Sequence, residues 1–146
     1  MSVISIHVAD RPGAPMRALA EVRALAGRGL EGDRNLDGAK PGEQLTLIEA
    51  EAIEALERDY KVSLEAGGSR RNLTTRGVAL NHLVGREFRV GDVRLRGVRL
   101  CEPCEHLAKL SGAEVIPGLV HRGGLRADIL SDGTIKVGDA VWKPEP

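Results

Sequence analysis

Apolar and polar positions alternate along much of this chain, and the alternation predicts mostly strands. Val3-Ile4-Ser5-Ile6-His7-Val8 is β-branched and partly alternating, so it predicts a first strand. Asp10 to Pro15 is rich in turn residues. Val22 to Ala26 fits strand or helix, and the local pattern leaves both open. Gly27 to Gly42 is glycine-rich, carries Asp33, Asn35 and Asp37, and predicts one long loop of the kind that is usually functional or disordered. Gln44 to Ile48 predicts a strand running into a helix over Glu49 to Lys61, where Ala52, Ile53, Leu56 and Tyr60 recur at spacings of three and four. Thr46 and Glu49 have the spacing of a capping box, which would start that helix earlier. Phe88 to Leu100 predicts strand, Gly-Asp turn, strand, with Val93, Leu95 and Gly97 on one face and Arg94, Arg96 and Val98 on the other. Ile129 to Val137 predicts a hairpin around Asp132-Gly133, and Val137-Gly138-Asp139-Ala140-Val141 then repeats the turn form of residues 90–93. Many short strands, glycine turns and one or two helices predict a mainly β fold with a few α-helices, a barrel or sandwich.

Composition narrows this picture. A chain of 146 residues with 42% hydrophobic content predicts one domain, residues 1–146, able to bury a core without disulfides. Phe88, Tyr60 and Trp142 are its only aromatics, so the core must be aliphatic and a base-stacking nucleic-acid surface is not expected. Lys and Arg total 21, as do Asp and Glu, so no global field attracts nucleic acid or an anionic membrane. The first ten residues lack the basic start of a signal peptide, and no apolar run approaches the roughly 20 residues of a membrane span. Two nearby cysteines in such a chain imply a reducing, cytoplasmic location.

Those cysteines form the sharpest chemical feature, Leu100-Cys101-Glu102-Pro103-Cys104-Glu105-His106-Leu107. A strand ending at Leu100 and Pro103 at a first helical position would put Cys104 in the first turn of a short helix ending at Gly112. A helix N-terminus favours the thiolate, which metal ligation and sulfur transfer both require, although Glu102 and Glu105 oppose it. Three other readings stay open on these residues: two buried core cysteines, half a zinc site completed by His82 and His121, or a redox pair, which would need a βαβ setting.

An ordered set of motifs resembles the MOSC domain family, named after the C-terminal part of molybdenum cofactor sulfurase. The set runs from Gly29-Leu30-Glu31-Gly32-Asp33-Arg34 through Arg70-Arg71-Asn72-Leu73 with Gly77, Leu83-Val84-Gly85, Val90-Gly91-Asp92-Val93 and Pro103-Cys104, to Arg122-Gly123-Gly124 and Gly133 to Asp139. It spans roughly residues 20–142. Each motif alone is weak, and their order and spacing carry the resemblance. It implies a MOSC-type β-barrel and molybdenum cofactor, an anionic pterin dithiolene with a phosphate. It assigns Cys104 as molybdenum ligand or sulfur carrier, with Cys101 as second choice, and Arg34, Arg70, Asn72, Gly32, Asp33 and Arg122 as cofactor-binding. Soft thiolate suits such a metal, and Arg forks and glycine turns suit an oxygen-rich anion.

The chain departs from larger relatives in lacking their N-terminal barrel and the cysteine-desulfurase domain, so no pyridoxal phosphate site is expected. It also lacks a ferredoxin-like cysteine set, so electrons would come from a partner. Three functions follow as expectations. The first is a molybdoenzyme reducing N-hydroxylated compounds with an electron-donating reductase. The second is a sulfur-carrier or cofactor-delivery module served by a cysteine desulfurase. The third is a non-catalytic binding domain.

Overall fold

A computed structural model describes residues 1–38, 40–61, 63–64, 67–101 and 122–143. In chain order its strands are β1 (Ser2–Val8), β2 (Arg17–Leu19), β3 (Glu21–Leu25), β4 (Gly29–Leu30), β5 (Leu45–Glu49), β6 (Leu73–Arg76), β7 (Glu87–Val90), β8 (Val93–Leu100), β9 (Leu125–Ile129), β10 (Gly133–Lys136) and β11 (Val141–Trp142). Helix α1 (Ala50–Tyr60) joins β5 to β6, and a 3-10 turn occupies Leu80–Leu83. Eight strands form one sheet in the order β11-β7-β8-β9-β5-β6-β1-β2, and β10, β3 and β4 form a second of three. The large sheet curls until its ends meet. Val3 N–H donates to Asp139 O (2.9 Å), Gly138 N–H to Val3 O (2.8 Å) and Val141 N–H to Met1 O (2.9 Å). Ring closure of this kind leaves no unpaired edge along the start of β1.

The aliphatic residues line the inside of this curl. Ile6, Leu45, Leu47, Leu73, Leu95, Leu125 and Ile135 are fully or almost fully buried in one cluster. Burying a side chain of this size is worth about 1.5–3 kcal/mol. Of the three aromatics only Phe88 is buried, while Tyr60 and Trp142 are exposed. The predicted alternation of the second strand of the hairpin holds: Val93, Leu95 and Gly97 face in, and Arg94 and Arg96 face out. The Val90-Gly91-Asp92-Val93 turn pairs Val90 with Val93, with Gly91 at φ +58° in the first central position, where this two-residue turn favours glycine. Its later repeat packs beside it, since Gly91 N–H donates to Ala140 O and a Cβ on Gly91 would lie 2.6 Å from Asp139 Oδ2.

Tertiary contacts decide one open local reading and overrule four others. Residues 22–25 are strand, because β3 has partners on both sides, β10 and β4. The stretch 27–42 is not one loop: it contains β4 and buries Leu30 and Asp33. Thr46 caps nothing. It is buried in β5, and α1 starts after Glu49 with no side-chain cap bond. The buried face of α1 is Ala50, Ala52, Ala55 and Leu56, with Tyr60 outside it. The Asp132-Gly133 hairpin does not form either. β9 pairs with β5 and β8, and β10 pairs with β3 in the other sheet. Side chains hold that crossing: Asp132 Oδ1 accepts Ala26 N–H (2.7 Å) and Ser131 Oγ accepts Arg94 N–H (2.9 Å). No helix among the described residues is long and apolar enough to cross a membrane.

Gly97 shows how tightly the barrel end is packed. Gly85 N–H donates to Gly97 O (2.8 Å) and Gly97 N–H to Arg86 O (3.0 Å). A Cβ on Gly97 would run into the carbonyl group of Leu83, which is backbone and cannot move aside. Gly85 lies nearby at φ +78° with open space around its Cβ position. Gly97→Ala is therefore expected to cost about 3 kcal/mol, against roughly 1–2 kcal/mol for Gly85→Ala, which pays only for its left-handed backbone. Urea unfolding of both variants checks the order.

Candidate anion-binding site

Where β6 begins, Asn72 fills the gap between β1 and β5. Its Nδ2 donates to His7 O of β1 (3.1 Å), and its Oδ1 accepts Thr46 N–H of β5 (3.1 Å). The Thr46 hydroxyl closes the loop, accepting Asn72 N–H (3.0 Å) and donating to Asn72 Oδ1 (3.2 Å). The second Nδ2 hydrogen goes to Asp33 Oδ1 (3.3 Å). Asn72 is 1% exposed and has spent every donor and acceptor of its amide on the protein.

Asp33 is the centre of the group. Its side chain is fully buried, and Oδ1 accepts from Ala9 N–H (3.2 Å), Asn72 Nδ2 and Arg34 Nη1 (3.4 Å), while Oδ2 accepts Asn35 N–H (3.4 Å). A buried carboxylate is tolerated when it is paired and hydrogen-bonded in this way. Asp33 thereby fastens the glycine-rich segment to β1 and β6 and presents the next residue, Arg34, at the sheet. Gly32, at φ +83°, makes the turn into it, with Arg17 Nη2 3.7 Å from where a Cβ would stand.

Arg34 and Arg70 meet here. Arg34 Nη2 donates to Arg70 O (3.2 Å) and Nη1 lies 3.3 Å from Met16 Sδ. Arg70 Nη2 donates to Ala14 O (2.8 Å). Arg70 holds the left-handed φ of +61°, a conformation that costs a non-glycine residue about 1–2 kcal/mol and that clusters at functional sites. Two guanidiniums share one carboxylate. Burial and then the neighbouring Arg34 charge lower the Arg70 pKa, and Asp33 offsets this only in part. The remaining Arg70 nitrogens have no bond among the described residues. A planar, donor-rich pair short of negative charge is suited to an oxyanion.

Other expected residues stand elsewhere. Arg122 is exposed and lies within electrostatic reach of Glu49 and Asp59, beside α1. It is not part of the Asp33 group. The space next to Gly124 is filled by the protein itself, at the carbonyl of Leu47. Cys101 is a free thiol, 1% exposed. Cys104, His106 and His121 lie outside the described residues. Among the described residues no three His, Cys, Asp or Glu side chains gather as a metal site.

Arg71 was not among the residues that the resemblance assigned to the cofactor, and the structure gives it a specific place. It is 7% exposed, with Nε donating to Gly123 O (2.7 Å) and Nη2 to Cys101 O (3.4 Å). It therefore ties Cys101, which follows β8, to Gly123, which precedes β9. Position next to Asn72 was the only signal available. Thr46, Met16 and Ala14 carried no signal, because their parts here are played through backbone or through contacts far apart in the chain.

The sequence matches the MOSC domain family model over residues 33–142. The chain belongs to the MOSC domain family. That family is associated in general with molybdenum cofactor. No curated protein matches the sequence. Among solved structures, the YUAD protein from Bacillus subtilis superposes with a TM-score of 0.83 at 14% identity, over 98% of this chain and 96% of that one. YiiM from Geobacillus stearothermophilus gives 0.78 at 17% identity, over 99% and 75%. YiiM from Escherichia coli gives 0.69 at 19%, over 100% and 71%. At these identities the likeness establishes the shared fold. The MOSC match covers both Asp33-Arg34 and Arg70 to Leu73, the two segments that build the arginine pair.

Two predictions follow from the geometry. Asn72→Ala strands Thr46 N–H and His7 O in the interior and is expected to cost about 3 kcal/mol in urea unfolding. Arg70→Gly loses one bond to Ala14 but relieves the left-handed backbone, so its stability should change by less than about 1 kcal/mol.

A third concerns His7, which is 4% exposed, with Nδ1 buried and without a partner. Its pKa is lowered from 6.5 by burial. The unfolded chain therefore binds the proton more readily than the folded one. Stability should fall as pH drops below about 6.5 towards the folded-state value. In His7→Gln this part of the pH dependence should disappear from denaturation midpoints measured between pH 5 and 8.

Proposed function

We propose that this MOSC protein binds molybdenum cofactor, with Arg34 and Arg70 holding an anionic edge of the cofactor and Cys104 supplying the sulfur. The observation that carries this reading is the electrostatic imbalance of the arginine pair. Two partly buried guanidiniums repel each other across a single carboxylate, and an added anion relieves both. The residues present fit the group. Arg70 offers unspent N–H donors and Arg34 is held at its side, while Asp33 and Asn72 are spent on the protein and act by positioning them. In this reading Asn72 and Asp33 bind no ligand themselves.

Cys104 follows Cys101 by three residues, and Cys101 is anchored by Arg71 and by its N–H bond to Gly124 O (2.7 Å). The cofactor, when bound, would supply two-electron redox chemistry at molybdenum. The protein's own share would be to bind the anionic part, to offer a thiolate, and to keep water from the buried side of the site through the packed Asp33 and Asn72 group. With those roles we assign the protein as a reductase of N-hydroxylated compounds that takes electrons from a partner reductase.

The test is metal and pterin analysis of protein made in a host that synthesises molybdenum cofactor. Wild type is expected to carry molybdenum and pterin near one per chain. Cys104→Ser should lose the metal, and Arg70→Gly should lose most of the pterin while staying folded. Absence of both metal and pterin from wild type overturns the assignment. Cofactor without turnover of a hydroxylamine or amidoxime, given a chemical reductant, overturns the reductase part and leaves the binding part.

A further inference from the structure

The charges of this neutral chain are not evenly spread. On the outer face of the curled sheet, register places arginines beside one another on three adjacent strands. Arg89 of β7 pairs with Arg94 of β8, and Arg99 of β8 pairs with Arg126 of β9. Residues opposite each other in such a ladder point to the same side. Arg96 lies between them on the same strand face as Arg94. Two carboxylates share this face, Glu87 and Asp128, each opposite Arg96. Glu87 pairs with Arg96 at 3.1 Å and Arg94 at 3.7 Å, and Asp128 Oδ1 is taken by Gly42 N–H at 2.7 Å. Arg99 and Arg126 have no carboxylate partner among the described residues, and the Arg99 guanidinium makes one bond, to Pro41 O. In the row of Arg89 and Arg94, Trp142, the sole tryptophan, pairs with Arg89 and is 54% exposed, with the Arg89 guanidinium 5.8 Å from its ring centre.

Like charges directly opposite in a sheet destabilise it, so two such pairs on one face are a cost that folding does not explain. The geometry points to this face as the docking surface for an acidic protein. The inference rests on the reading that the protein works with a partner that delivers electrons or sulfur. The face adjoins the arginine pair described above, because the row Arg99, Arg126, Thr46 runs across β8, β9 and β5 to the strand that Asn72 bridges. A protein partner fits better than nucleic acid or a membrane. Glu87 and Asp128 are interleaved with the arginines, which suits a mixed, mainly acidic surface and repels a continuous phosphate chain. One exposed aromatic gives no platform for successive bases. Arginine and tryptophan are also the side chains that most often anchor protein interfaces.

Trp142 reports directly on this face, so its fluorescence can be titrated with three probes at low salt: poly-L-glutamate, a single-stranded DNA oligonucleotide, and phosphatidylglycerol vesicles. Poly-L-glutamate is expected to shift the emission saturably, and added salt should abolish the effect. The double variant Arg99→Glu/Arg126→Glu should bind it at least about tenfold more weakly, while Arg23→Glu, on the three-stranded sheet, should bind like wild type. Circular dichroism of each variant separates lost binding from lost fold, and if the double variant does not fold, Arg99→Gln/Arg126→Gln replaces it. Equal binding by wild type and double variant overturns the proposal, as does tighter binding of DNA or vesicles than of polyglutamate through the same residues, or no response to any probe. The titration needs no cofactor, so its failure and a failure of the cofactor reading are distinguishable.

Discussion

The carboxylate of Asp33 carries a position in the structure out of proportion to its size. It lies buried between the turn that follows β4, the end of β1 and the start of β6. Removing a charge from water is expensive, and this one is stable because four donors converge on it. Two of those donors belong to backbone that must stay ordered, Ala9 and Asn35. A third belongs to Asn72, whose amide in turn joins β1 to β5 where no strand backbone does so. The glycine-rich segment is thus ordered by one buried charge, and the arginine beside that charge has a fixed place.

That arrangement separates the residues that hold from the residues left to bind. Asn72 spends its amide on the protein, and Asp33 accepts four bonds from it. Arg70 keeps guanidinium nitrogens without a bond among the described residues, and it stands on a left-handed backbone next to a second guanidinium. Strain and like-charge repulsion both cost stability, and both sit where an anion would relieve part of the cost. The outer arginine face has the same character, with like charges opposed across strand pairs. In each place the structure tolerates a local penalty that packing alone gives no reason for.

Much of the fold was legible in local pattern. The clean alternation from Val93 to Gly97, the Gly91-Asp92 turn and the helix after Glu49 appear where the pattern put them, because each depends on neighbours one to four residues away. The failures share a cause. Thr46 and Glu49 have capping spacing, but the Thr46 hydroxyl was better used against Asn72, 26 residues on. Asp132-Gly133 has the chemistry of a hairpin turn, but its carboxylate bonds to Ala26 and the chain crosses to another sheet. The candidate site was legible as a set of motifs, Asp33-Arg34 and Arg70-Arg71-Asn72. Their division of labour was not.

The sequence by itself determined a mainly β chain with an aliphatic core, the family to which it belongs, and the two segments that build the arginine pair. Those properties follow from residue type, period and motif order, which are written locally. Only the tertiary structure decided that the glycine-rich stretch is clamped by a buried carboxylate, that Arg122 stands by α1 and not in that group, that Arg71 ties Cys101 to Gly123, and that five arginines share one outer face. Most of the contacts involved join segments far apart in the chain, by 24 residues for Ala9 and Asp33 and by 52 for Arg71 and Gly123. That choice of neighbours is made by burial and by satisfying buried polar groups over the whole fold, and no window of sequence contains it.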